Sequence, residues 1–321
     1  MRSAQPRRSS GSLRGALGLL LCSPTFLAFA QPAVPDPQIA EFDRLLKSER
    51  YQEAEPALER FTASHANSAE AWYQLGYVYF QTHKIWPSVK ALSKSLSLNP
   101  RQAHAHRILG LDFTILGRLD LARRELERTV ELDPKSADGH YSLGRVLYEE
   151  GFYGLAAEHL ERSVSLRPED VKTLHNLGLT YEALNQLDRA KEVFEKALRL
   201  NQKSPRPSEW PYINYGSFLN RRFEFAEAVS VLEKGRGIQA KSDPLEFELG
   251  KAYRGLGKLD LAATALEKAR QLNPGNSDYL YVLAFVYRSL GRTNEASAAL
   301  AEFTRLKKAQ DVGQRAPVKV D

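Results

Sequence analysis

A repeat of 34 residues constrains this chain more than any other feature. A unit that recurs at fixed spacing must present the same apolar face each time. Ala71-Trp72-Tyr73-Gln74-Leu75-Gly76-Tyr77-Val78-Tyr79 aligns with Ala105-His106-Arg107-Ile108-Leu109-Gly110-Leu111-Asp112-Phe113 one period later. Leu143-Gly144, Leu177-Gly178 and Leu249-Gly250 fall in the same frame, and Tyr215-Gly216 and Leu283-Ala284 complete it. Twelve residues after each comes a small residue: Ser88, Ala122, Ala156, Ala190, Ala228, Ala262 and Ala296. Units close on phrases such as Leu98-Asn99-Pro100, Leu132-Asp133-Pro134, Leu166-Arg167-Pro168 and Leu272-Asn273-Pro274.

Within a unit the spacing predicts two helices. Leu109 and Phe113 on the first run, and Ala122 and Leu126 on the second, recur at three and four residues, which gives one apolar face per helix. Gly117, Gly151, Gly257 and Gly291, with Asn185 in the same slot, separate the runs and suit a left-handed helix end. Asp120, Asp188, Asp260 and Asn294 follow as expected caps of the second helix. Proline after the second helix stops it, and Pro244 after Asp243 suits a first helical turn. A glycine inside a helix costs about 1 kcal/mol against alanine. Its recurrence predicts close approach of the two helices, glycine opposite small residue. A single hairpin cannot bury its apolar face, so neighbours stack into a curved solenoid with a long concave surface.

The pattern W-x2-LG-x2-Y…A…P at this period resembles the tetratricopeptide repeat. The resemblance implies an all-α fold, a right-handed α-solenoid of antiparallel helical hairpins. Eight units are expected over 35–310: 35–68, 69–102, 103–136, 137–170, 171–204, 209–242, 243–276 and 277–310. The first departs from the pattern, with Phe42 in the glycine slot and only Ala54 and Leu58 matching well. An insertion at Lys203-Ser204-Pro205-Arg206-Pro207-Ser208 is expected to form a loop that kinks one continuous solenoid. Residues 311–321 read as a short polar tail.

The formal charge of +6 is concentrated at the N-terminus. Arg2, Arg7, Arg8 and Arg14 lie in residues 1–30 without a single acid, which leaves +2 for the body. These arginines precede an apolar run from Ala16 that ends in Ala28-Phe29-Ala30. A positive start, a short apolar middle and a small-residue site describe a secretory signal peptide over 1–30, cut before Gln31, with 31–34 as a linker. The run is short for a membrane span of roughly 20 residues. Arg7-Arg8 lacks the apolar sequel of a twin-arginine signal, and Leu21 before Cys22 is too large for a lipoprotein box. The expected location is periplasmic or secreted, with no transmembrane span in the mature chain. Cys22 is the sole cysteine, so a disulfide framework and cysteine-built metal sites are excluded. A body near +2 offers little net attraction for phosphates, so nucleic acid is not the expected partner.

No Walker sequence, H-E-x-x-H or G-x-S-x-G is present, so the chain reads as a non-enzyme without cofactor. His104-x-His106 points two ways around a helix, and His106 and His140 occupy the packing slot of Trp72, so no metal site is expected. The resemblance implies a ligand groove on the first helix of each unit, at the second, fifth, ninth, twelfth and thirteenth slots. Projected onto this sequence, the candidate groove residues are Tyr73, Tyr77, Phe80, Arg107, Tyr141, Arg145, Tyr148, Lys172, His175, Phe247, Lys251, Arg254, Tyr281, Phe285 and Arg288. The sixth unit contributes Trp210, Ile213, Ser217, Asn220 and Arg221 to the same slots. Tyr, Trp and Arg predominate at binding hot spots, and Arg forks onto carboxylates. The alternative is that these tyrosines only pack between units. The Lys/Asn pattern of the carboxylate clamp is absent, and an asparagine ladder is hinted at by Asn176 and Asn214. The expected function is a non-catalytic scaffold holding a protein or peptide segment in its groove. The alternative is a carbohydrate-binding or glycan-processing accessory.

Overall fold

The computed structural model describes residues 37–315. The leader assigned to 1–30, the 31–34 linker and residues 316–321 lie outside that range. Among the described residues, sixteen helices pair into eight hairpins, with no strand. The first hairpin is α1 (Pro37–Lys47) with α2 (Tyr51–Ser64), and the second α3 (Ala69–Gln81) with α4 (Ile85–Leu98). The third is α5 (Ala103–Ile115) with α6 (Leu119–Leu132), and the fourth α7 (Ala137–Glu149) with α8 (Tyr153–Leu166). The fifth is α9 (Val171–Ala183) with α10 (Leu187–Lys203), and the sixth α11 (Trp210–Arg221) with α12 (Phe225–Arg236). α13 (Asp243–Gly255) with α14 (Leu259–Leu272), and α15 (Ser277–Ser289) with α16 (Thr293–Arg315), complete the stack. The atypical first unit is thus a hairpin like the rest, and the last helix passes position 310 to end at Arg315.

The turn inside each hairpin requires one left-handed residue. Gly117, Gly151, Gly257 and Gly291 supply it at φ of 68°, 83°, 71° and 75°, and Asn185 at 57°. Glu49, His83 and Phe223 adopt the same conformation at φ of 56°, 59° and 63°, where a side chain costs roughly 1–2 kcal/mol. The capping expectation is corrected. Asp120, Asp188 and Asp260 lie inside the first turn, and the cap residues Arg118, Gln186 and Lys258 make no side-chain cap bond. The turn is so tight that the helix begins two residues too early for them, as α16 does for Asn294, and the three carboxylates instead favour the positive end of the helix dipole. Side-chain caps stand before the first helices: Ser68 accepts from Ala71 N–H, Ser136 from Gly139 N–H, Asp170 from Lys172 N–H and Asn276 from Asp278 N–H.

The recurrent helix glycine is explained by what it touches. A Cβ at Gly76, Gly110, Gly144 or Gly250 would lie 2.6, 2.7, 2.7 or 2.5 Å from Cγ of Leu92, Leu126, Leu160 or Leu266. The small residue predicted opposite it contributes only its backbone carbonyl, as Ala156 O does at 3.2 Å from the Gly144 position. The bulk filling the space is therefore a leucine one turn beyond the small residue, a pairing invisible without the crossing geometry.

Two further bonds recur along the stack. In the fourth slot of the first helix, a ring N–H donates to the carbonyl six residues earlier: Trp72 Nε1 to Ala66 O (3.0 Å), His106 Nε2 to Pro100 O (3.0 Å) and His140 Nε2 to Pro134 O (3.1 Å). These histidines therefore cap the chain entering the helix. Between hairpins, a tyrosine hydroxyl donates to a glutamate 20 residues earlier: Tyr79 to Glu59, Tyr181 to Glu161, Tyr215 to Glu195, Tyr253 to Glu233 and Tyr287 to Glu267, at 2.7–3.1 Å. Each bond joins the second helix of one hairpin to the first helix of the next.

Successive first helices touch one another all along the stack, from α1·α3 to α13·α15, whereas successive second helices do not. Elements on the inside of a curved stack are crowded together and those on the outside are splayed, so the first helices form the inner face. The core runs without a break past the insertion: one apolar cluster extends from Ala157 to Ala265. Gln202 stands where other units have Pro100, Pro134, Pro168 or Pro274. Without that proline α10 runs on to Lys203, so the expected loop begins one residue later, after a helix extended beyond its usual end. Asn201 then clamps the loop, donating from Nδ2 to Ser208 O (2.7 Å) and accepting at Oδ1 from Ser208 N–H (2.9 Å).

Candidate functional site: the inner face

The inner face carries the candidate residues in three groups. At the N-terminal end, Tyr73, Tyr77 and Phe80 pack half-buried against the cluster of Leu92, Ile108 and Leu109. Tyr77 meets Tyr51 edge-on at 6.2 Å and Tyr73 at 6.5 Å. Burial pushes the Tyr73 phenol up to about 12. These rings fill space between hairpins. Tyr148 is also half-buried and leans on Tyr153 at 5.3 Å.

At the C-terminal end the aromatics are open. Tyr281 is 47% exposed and Phe285 39%, paired edge-on at 4.9 Å, with Phe303 at 5.3 Å from Tyr281. The Arg288 guanidinium lies 5.8 Å from the Phe285 ring. Phe247 leans on Tyr279 at 4.8 Å, and Lys251 sits over its ring at 5.3 Å while donating to Glu248 (2.9 Å).

The middle group lines a cleft of about 490 Å³ between the fourth, fifth and sixth hairpins. Its walls are Tyr141 from α7, Val171, Lys172, His175 and Asn176 from α9, and Trp210, Pro211 and Asn214 from α11, with Asn201 and Ser208 of the clamped loop. Asn176 Nδ2 donates to the Tyr141 hydroxyl (3.4 Å) and to Lys172 O (2.9 Å). Trp210 leaves 53% of its surface exposed. His175 Nδ1 is buried and has no hydrogen-bond partner. Burial first, then the Arg221 charge, push its imidazole down to about 4, so the ring is neutral at ordinary pH and keeps an unused polar atom. Slot arithmetic locates Tyr141, Lys172 and His175. Trp210 falls in the sixth unit's slots, and Asn176 and Asn214 appear in the sequence only as a hint. Asn201 and Ser208 are reached by no slot rule, because they belong to a connection between units.

Charges on this face divide into spent and free. Arg221 forks onto both carboxylate oxygens of Glu182 at 2.6 and 2.8 Å. Arg145 pairs with Glu149 at 3.6 Å while lying 5.8 Å from the Tyr141 ring. Asp138 is engaged by Arg167, which holds its carboxyl below the usual range. Among the described residues, Arg107, Lys172, Arg254 and Arg288 have no ion-pair partner, against Glu70 and Asp278 among the acids of the same slots. The inner face therefore presents an unspent excess of positive charge. His104 is exposed, and His106 spends Nδ1 on Glu125 at 2.7 Å and Nε2 on Pro100 O, so the pair is not a chelate. His140 Nδ1 meets His159 Nδ1 at 3.0 Å. Since a carbonyl only accepts, His140 holds its proton on Nε2, and His159 donates.

Models of the tetratricopeptide repeat match residues 39–84, 69–102, 135–203 and 253–309. Together they span more than half of the chain, which thus carries tetratricopeptide repeats. The third and sixth hairpins lie outside the matched stretches. No curated protein matches the chain in sequence. Among solved structures, pilF of Pseudomonas aeruginosa is 25% identical, with a TM-score of 0.55 over 67% of this chain and 96% of that one. A chain of the APC/C hetero-tetramer Cut9–Hcn1 is 21% identical, with a TM-score of 0.61 over 77% of this chain, which spans only 48% of that partner's length. MamA is 26% identical over 50% of this chain and 95% of its own, with a TM-score of 0.47. The Cut9–Hcn1 likeness shows the solenoid fold. Among the described residues no helix is long and apolar enough to cross a membrane.

Proposed function

We propose that the chain is a non-catalytic scaffold that holds an extended or helical segment of a partner protein against its inner face. The observation that carries this reading is the free positive charge interleaved with open aromatic rings on the crowded side of the curve. A surface of rigid rings and unpaired cations gains more from a peptide than from water, because rings offer large area at low entropy cost and cations find carboxylates. The repeat family supports a protein-binding role. The test is cross-linked affinity purification from the native host, repeated with Tyr281→Ala and Arg288→Ala together. The double variant should lose the cross-linked partner and keep its helical circular dichroism. Capture at unchanged yield would reject the inner face as the binding surface.

We also propose export from the cytoplasm, resting on the arginine-led apolar segment ending at Ala30. The exported protein should begin at Gln31 by mass spectrometry, and recovery of a chain still starting at Met1 would reject it.

A further inference from the structure

We propose that the cleft between the fourth and sixth hairpins is an acid-selective pocket, taking a carboxylate side chain together with a neighbouring aromatic or large aliphatic side chain of a bound peptide. The inference rests on the inner-face reading above and specifies what that face selects.

Two observations converge. The cleft wall contains a cation and no acid: Lys172 is exposed, has no ion-pair partner, and shares the wall with Asn176 and Asn214. A carboxylate entering here meets the full charge of Lys172 and the amide of Asn214, for which a charge-assisted hydrogen bond is the strong kind. An ammonium entering instead would meet Lys172 with nothing to neutralise either charge. Second, Trp210 stands 53% exposed at the cleft margin beside Pro211. An indole left open in a concave site is an apolar platform for a ring or a branched side chain.

The pocket lies where the chain departs from the repeat, by a missing proline and by the insertion that follows it. Gln202 replaces the terminating proline, α10 lengthens, and the loop clamped by Asn201 returns to α11 from farther out. The space left between the N-terminal ends of α9 and α11 is the cleft. The neighbouring hairpins keep one continuous core behind it.

A random decapeptide display library panned against the full-length chain tests this directly. Peptides enriched by the wild type should carry Asp or Glu within a few residues of Trp, Phe, Tyr, Leu or Ile. Lys172→Glu should weaken the selected peptides by roughly tenfold or more and, when panned itself, enrich Lys or Arg in place of the acid. Trp210→Ala should erase the aromatic preference. Both residues are exposed, so circular dichroism should be unchanged, and Lys94→Glu on the exposed side of α4 is the charge control. Enrichment of peptides without acid, or of the same peptides by Lys172→Glu and Trp210→Ala, would overturn the pocket and leave the inner-face reading standing. No enrichment at all by the wild type would overturn both.

Discussion

Asp112 is a carboxylic acid where neighbouring units bury valine. Val78, Val146 and Val286 fill the equivalent slot of α3, α7 and α15 with none to 1% of their surface exposed, and Asp112 is likewise fully buried. Its Oδ2 accepts from the Ser88 hydroxyl at 2.6 Å, and its Oδ1 has no partner. Burial outweighs the serine bond and pushes the carboxyl up to about 7. In the unfolded chain an aspartate titrates near ~3.9, and each unit of difference is worth about 1.4 kcal/mol. The native carboxyl thus holds a proton that the unfolded chain has lost between these values. Stability should fall as pH rises from about 4 to about 7, by at most about 4 kcal/mol. Asp112→Val removes both the charge and its titration. The Ser88 hydroxyl retains Gly76 O at 2.9 Å. The variant should therefore be more stable than the wild type by ~2–4 kcal/mol at pH 8, and by much less at pH 4.5. Urea denaturation of both proteins at the two pH values, followed by circular dichroism, measures the difference, in which all other titrating groups cancel. A stability difference that does not grow with pH, or a variant less stable at pH 8, would refute the reasoning.

Two further perturbations probe the other recurring contacts. Gly144→Ala places a Cβ 2.7 Å from Leu160 Cγ, so despite alanine's better helix propensity it should lose about 1–3 kcal/mol; an unchanged melting temperature would show that the hairpin can open at no cost. The His140–His159 pair is kept neutral by burial, with both imidazoles shifted down. A base depressed in the native state contributes stability fully present above the ordinary value of about 6.5 and lost as pH falls below it. His159→Leu should flatten part of that acid-side loss in a melting profile, and an unaltered profile would count against the pair.

The hairpins were readable because they rest on short-range regularity. Leu109, Phe113, Ala122 and Leu126 mark their faces at three- and four-residue spacing, and Gly117 or Gly151 marks the turn, all within a single unit. The caps were misread because Asp120 and Asp260 lie two residues inside the helix, a distinction carried by the tight turn geometry and not by residue type. The candidate slots placed Tyr141, Lys172 and His175 on one wall but treated Tyr73 and Tyr77 alike. Whether a tyrosine points into a neighbour or into the groove depends on the next hairpin, 34 residues away. The tyrosine–glutamate bonds, and the histidine pair 19 residues apart, have no local signature at all.

Periodicity alone determined that this chain forms stacked helical hairpins, since an apolar stripe that repeats every unit has no other way to leave water. Only the tertiary structure decided which side chains remain unsatisfied once the hairpins are nested: the lone Lys172 ammonium, the open Trp210 ring and the orphaned His175 nitrogen. Each of those is set by contacts across neighbouring units, which no pattern within one unit encodes.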